Sequence, residues 1–183
     1  MTRYKDLDRA ALDADQRRIW DEIASGPRRS VPPPLQIWLR SPQLAENAQR
    51  LGAFCRYGTT LEPRLSELAI LMTARHWTAH YEWHHHEIFA LKAGLDPAII
   101  AAIAERRTPD FTREDERVLY DFCSVFYRDH KVDDATYARA LAQFGERGVV
   151  ELVGIMGYYA LISMTLNVFE VPVPEGAKRP LAE

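Results

Sequence analysis

A chain of 183 residues, 47% of them hydrophobic and with a net charge of −3, is long enough to bury a sizeable core as one domain. Its Lys and Arg residues are scattered, which argues against nucleic acid as the main partner, because phosphate binding needs a concentrated basic footprint. Cys55 and Cys123 form no CxxC pair and are too few for a structural zinc site. The opening stretch, MTRYKDLDRAALDADQ, is charged and has no apolar signal core. Reduced thiols in a cytoplasmic compartment are therefore the expectation.

In chain order, Asp13 and Gln16 form a capping pair ahead of Ile19, Trp20 and Ile23, and Gly26-Pro27 stops this first helix. PRRSVPPP, residues 27–34, reads as a linker, since consecutive prolines cannot continue a helix. Ser41-Pro42 opens a second helix, with Ser as cap. Leu44, Ala48, Leu51 and Cys55 follow at helical spacing, and Gly58 ends it. Pro63 opens a third helix, and the histidine-rich segment after it runs to Gly94, a natural residue just past a helix end. Asp96-Pro97 starts a short helix through Ile103. Thr112 and Asp115 cap another, carrying Val118, Leu119, Phe122, Val125 and Phe126. Asp133 caps a seventh with Tyr137, Leu141 and Phe144, and an apolar helix over 148–168 closes the set. Residues 152–168 of that helix carry no charge, a run at the lower limit for a membrane span. Its flanks, Glu151 and Glu170, supply no basic topology signal, so it reads as a buried helix of the core or of a subunit interface, not a membrane helix. No segment alternates with period two. The predicted class is all-α, with about eight helices: an N-terminal helix and Pro-rich arm (1–40), a helical core (41–170) and an extended tail (171–183), in a single domain (1–183).

Five of the six histidines fall in TARHWTAHYEWHHHEIFA, residues 73–90. At about 100° per residue, Glu82, His86, Phe89 and Ala93 share one stripe, with His85 at its edge. His80, His84, Ile88, Leu91 and Leu95 form a second stripe, so this helix is predicted to lie between the subunit's own core and a further layer or a partner copy. Side chains four apart on a helix are neighbours. A Glu82–His86 pair at an apolar edge is poised to move a proton near neutral pH, or else is an ordinary helix pair. His76, His80 and His84, at i, i+4 and i+8, raise a metal reading if the helix is straight. The HExxH pattern is missing, however, and no metal is expected. Glu67 sits among apolar neighbours and needs a partner. Arg64 and Arg75 are structural candidates. If a turn breaks the chain near Thr78-Ala79, Glu67 can instead reach the Glu82–His86 stripe.

Glu67, then Glu82-Trp83 fifteen positions on, then His86, resembles the E…EW-x-x-H signature of the carboxymuconolactone decarboxylase family, which shares the AhpD-like all-α fold. RLSELAILMTARHWTAHYEWHHHEIFALKAGL is similar throughout. The likeness is strongest over residues 50–110 and extends more weakly through LNVFEVPVP. The resemblance implies an AhpD-like helical fold assembled as trimers or hexamers, and a small-molecule substrate, with no nucleic acid or membrane partner. The family's peroxidase branch uses CxxC followed by His, but here Ala79 and Glu82 stand where its thiols fall. The alternative of an alkylhydroperoxidase or peroxiredoxin-type antioxidant protein is disfavoured accordingly. The decarboxylase branch implies a lyase of aromatic catabolism: cofactor-free acid/base decarboxylation of a small carboxylated lactone or related acid. Glu67, Glu82 and His86 would be catalytic, and Arg75, Tyr81, Trp83 and His85 would contact substrate. A non-catalytic oligomeric binder and a metal-dependent lyase or hydrolase are the remaining alternatives.

Overall fold

The structure is a computed structural model and describes residues 2–3, 5–177 and 180–182. Eight α-helices and one short 3-10 turn (Arg9–Ala11), with no strand, make up the regular structure of the described residues. They are α1 (Ala14–Ser25), α2 (Pro33–Trp38), α3 (Pro42–Tyr57), α4 (Pro63–His76), α5 (His80–Lys92), α6 (Pro97–Ala104), α7 (Glu114–Asp129) and α8 (Asp134–Val168). The chain is all-α, as its patterning predicts.

Helix α4 is the axis of the fold. Every residue from 64 to 75 is buried, and α5, α6, α7 and α8 all pack on it. A helix enclosed on every side needs apolar residues all round or paired polar ones. Leu65, Leu68, Ile70, Leu71 and Met72 supply the first kind, and Arg64, Glu67 and Arg75 are the second. The chain leaves α4 through Trp77–Ala79, with Thr78 in the left-handed region (φ 48°). The Ala79 N–H donates back to Ala74 O (2.8 Å). From α8, the Asn167 amide donates to Trp77 O (2.7 Å). This turn lays α5 alongside α4 as a helical hairpin.

Several sequence expectations are corrected. The prolines read as a linker do not continue a helix; they begin one, since Pro33 and Pro34 occupy the first turn of α2, where a missing N–H costs nothing. Its Leu35, Ile37 and Trp38 join the core with Ile19 and Ile23 of α1. The arm thus lies on its own chain. In α3 the buried face is Ala45, Ala48, Gly52 and Cys55. Leu44 and Leu51 are about half exposed. Neither Ser41 nor Thr112 caps a helix with its side chain, and Asp115 instead binds Arg64. The two helices expected over 133–168 are both present: they share the label α8 and are separated at Gly145 (φ 68°, ψ 171°), which leaves the helical path in a conformation open to glycine alone. The apolar stretch of α8 is long and apolar enough to cross a membrane, by length and composition. Yet 61% of its most apolar window is buried inside the protein, against α2, α3, α4, α5 and α7. The tail folds back far enough to bury Leu181.

Candidate functional site

Three ionisable side chains from the α4–α5 hairpin meet. The His86 Nδ1–H donates to Glu67 Oε2 (2.6 Å), and His86 Nε2 lies 3.0 Å from Glu82 Oε1, one helical turn earlier on α5. All three residues are less than 9% exposed. Burial alone would push the imidazole pKa down. The charge of Glu82 and the hydrogen bonds to Glu67 and Glu82 outweigh it and bring the pKa up to about 9. His86 is therefore an imidazolium at neutral pH, with an N–H on each carboxylate. The Tyr159 ring stands edge-on to it at 5.0 Å.

The triad opens on a cavity of about 890 Å³, inside the range of small-molecule sites. One wall is the arm, with Pro27, Arg28, Val31, Pro32, Pro33 and Pro34. A second is the end of α3, with Arg56 and Tyr57. The hairpin and the α8 residues Tyr158, Tyr159 and Ile162 complete it. The Arg56 guanidinium lies over the Phe89 ring, 4.4 Å from its centroid. Phe89 is part of the cavity rim, not of the core; on α5 the core contacts belong to Trp83 and Ala90.

Of the side chains expected to contact substrate, Tyr81 and His85 line the cavity. Their rings stack with centroids 4.3 Å apart, and the His85 Nδ1–H donates to Tyr81 O (3.0 Å). Burial lowers the His85 pKa and raises that of Tyr81 to about 12. Trp83 and Arg75 are not at the cavity. Trp83 follows Glu82 but points about 100° around the helix into the core, where it is 1% exposed. Arg75 lies two turns beyond Glu67, about 12 Å along the axis, and donates to Thr78 Oγ1 (3.1 Å) and Ala182 O (3.0 Å). The straight helix that a His76/His80/His84 metal face requires is interrupted by the turn at Trp77–Ala79. His76 instead stacks on Tyr127 (4.3 Å). No group of three or more His, Cys, Asp or Glu among the described residues is arranged to hold a metal ion. Arg28, Arg56, Tyr158 and Tyr159 are cavity residues that sequence reasoning missed.

Fold comparison decides the architecture. A Cys-to-Ala variant of the debrominase Bmp8, in complex with 2,3,4-tribromopyrrole, superposes with a TM-score of 0.72 at 15% identity, over 90% of each chain. The apo debrominase Bmp8 gives 0.68 at 16% identity, over 93% of this chain and 91% of that one. This chain has the AhpD-like helical fold. No protein-family model matches the sequence, and no curated protein does either.

Proposed function

We propose that this AhpD-like protein is a cofactor-free lyase of the carboxymuconolactone decarboxylase type, acting by proton transfer on a small carboxylated lactone or related acid. The observation that carries the reading is the buried Glu67–His86–Glu82 triad facing a cavity of ligand size. In the reaction, the bond to the departing carboxylate breaks and carbon dioxide leaves. The electron pair delocalises into the conjugated lactone, and a proton is delivered to carbon. Both imidazole nitrogens are engaged by carboxylates, so His86 acts as the proton store. Glu82 or Glu67 hands the proton on through its second oxygen and is recharged from the imidazolium. An acid whose pKa sits above neutrality keeps its proton until a carbanion demands it. Tyr159 stands edge-on to His86, and the stacked Tyr81–His85 pair lines the same cavity; burial of the three ionisable groups strengthens the charge interactions among them.

The peroxiredoxin-type alternative needs a thiolate and a resolving thiol. Cys55 and Cys123 are buried and free. Burial raises the Cys55 thiol to about 11, although Arg28 pulls it down, and raises Cys123 further still. A relative with this fold is a debrominase, which supports small-molecule conversion over the alternative of a purely binding role. We also propose a homo-oligomer, a trimer or hexamer. Leu44, Leu51, Phe54, Val150, Val153 and Val168 are all at least 43% exposed, and covering them would remove much apolar surface from water. A cytoplasmic location is part of the same proposal.

The test is a screen of lactone and β-keto acids for carbon dioxide release, by wild type and His86→Asn. Release by wild type that the variant lacks supports the reading. Equal release by both, or none by either, overturns it. Light scattering on the purified protein gives the assembly, and a monomer overturns that part.

A further inference from the structure

The ionic groups of the cavity wall fall into two sets. Glu67, Glu82 and His86 satisfy one another. Arg28, half-buried, has its Nε and Nη2 atoms buried without a hydrogen-bond partner, and its guanidinium lies 6.0 Å from the Tyr57 ring centroid. Among the described residues Arg75 Nε is in the same position, whereas Arg9, Arg18, Arg50, Arg64, Arg139 and Arg147 each reach a carboxylate within 3.0 Å. Guanidinium N–H groups buried without an acceptor lose hydration with no compensating bond. Beside it, the Tyr158 hydroxyl is likewise buried without a partner.

These two groups are neighbours by construction. A Cβ added at Gly52 would lie 2.0 Å from Tyr158 Oη and 2.7 Å from Arg28 Nη2. Only a glycine leaves them room, so both converge on the same face of α3. Tyr158 is braced edge-on by Trp38 (6.1 Å) and by Tyr159 (5.3 Å), and Tyr159 in turn stands against His86. The row Arg28, Tyr158, Tyr159, His86 thus runs along one side of the cavity. The surrounding charge has a matching sign. Arg28, Arg56, Lys92 and the imidazolium of His86 outnumber the two carboxylates, Glu67 and Glu82, in the lining, although the chain as a whole is acidic. A low-dielectric cleft concentrates that field on an entering anion.

We propose that Arg28 and Tyr158 form a carboxylate-binding subsite of the cavity, which holds a non-reacting carboxylate of the substrate. The proposal rests on the reading of the cavity as a substrate site and deepens it. A planar guanidinium presents parallel N–H donors to a carboxylate, and burial keeps the tyrosine hydroxyl protonated as a further donor, although the charge of Arg28 pulls the other way. The group held here is not the one that departs as carbon dioxide. A cation on the departing carboxylate would stabilise the ground-state charge that must leave it, and so would slow the reaction.

The experiment is calorimetric titration of the full-length protein with 2-furoate and its neutral isostere 2-furamide. It uses wild type, Arg28→Gln and Tyr158→Phe, with circular dichroism to establish folding. Wild type is expected to prefer furoate by at least about tenfold. Arg28→Gln should erase the preference, furoate affinity falling to that of furamide, and Tyr158→Phe should reduce it about threefold. Equal affinity of wild type for both probes, no binding of furoate, or a preference that survives in Arg28→Gln overturns the subsite. Should Arg28→Gln fail to fold, a preference undiminished in Tyr158→Phe also overturns it. An Arg28-dependent preference in a protein that decarboxylates nothing upholds the subsite and overturns the reaction. Turnover without the preference does the reverse.

Discussion

Two buried clusters on α4 have nearly the same composition and opposite character. Arg64 and Glu67, one turn apart, each anchor one cation between two carboxylates. Arg64 donates to Glu116 and to Asp115 Oδ2 (2.6 Å), tying α4 to the first turn of α7. Burial pushes the Asp115 pKa up, but the Arg64 hydrogen bond more than offsets this and holds it below the ordinary value. Glu67 and Glu82 hold His86 in the same way, across to α5. The difference lies in the cation and in what it faces. A guanidinium does not give up its proton in a protein, and Arg64 lies outside the cavity lining. An imidazolium does give up its proton, and His86 lies on the cavity wall. A triad of this shape holds a fold together when its cation is permanent and its surroundings are closed. On the proposed function, it becomes a proton reservoir when the cation titrates beside a cavity.

The comparison breaks most visibly in turnover. Glu82→Gln or His86→Asn is expected to lower decarboxylation by about 10²–10⁴-fold. Arg64→Met should leave the rate of the folded protein within about threefold, because no cavity group is touched; steady-state kinetics on the three variants decides. Next comes stability. Arg64→Met strands Glu116, 3% exposed, at a cost of about 3 kcal/mol or more. That lowers Tm by about 10 °C, as calorimetry would show.

A pH scan sharpens the contrast. The folded-state pKa of His86 is raised to about 9, above an unfolded value near 6.5. The triad's contribution is therefore complete below pH 6.5, declines as pH rises, and is gone above about 9. It amounts to something on the order of 3 kcal/mol. Denaturant unfolding of wild type against His86→Asn should show the gap closing across that window. The Arg64 cluster has no such window at its cation. Smaller effects test the scaffold. Gly52→Ala would stabilise an ordinary helix, but here a Cβ would overlap Tyr158 Oη, so a loss of about 1–3 kcal/mol is expected, with furoate affinity falling alongside Tm. Thr78→Asn keeps a side-chain oxygen for Arg75 and relaxes a β-branched residue held at φ 48°. A gain of about 1 kcal/mol should raise Tm by about 2–4 °C.

How much of this was legible in the sequence follows from what periodicity reports. Spacing of four aligns Glu82 with His86, and Thr78-Ala79 is a natural break, so the hairpin that brings Glu67 across was readable. Helix starts at Asp13, Pro63, Asp96 and Asp133 were also readable, because a cap or an N-terminal proline acts locally. Neighbours from distant segments were not. Arg28 lies in a stretch whose prolines read as linker, and Tyr158 and Tyr159 lie in a helix whose apolar run announces burial without saying against what. Arg75 and Trp83 were misjudged for a related reason. Sequence proximity to Glu67 and Glu82 does not carry over when axial rise separates one pair and helical rotation the other.

The proline wall has a consequence for how such a protein diversifies. Residues 27–34 line the cavity and carry Arg28, yet they are contiguous and stand apart from the hairpin that carries the Glu67–His86–Glu82 triad. On the proposed function, rewriting that one octapeptide would retarget the protein to differently shaped molecules while the triad stayed as it is.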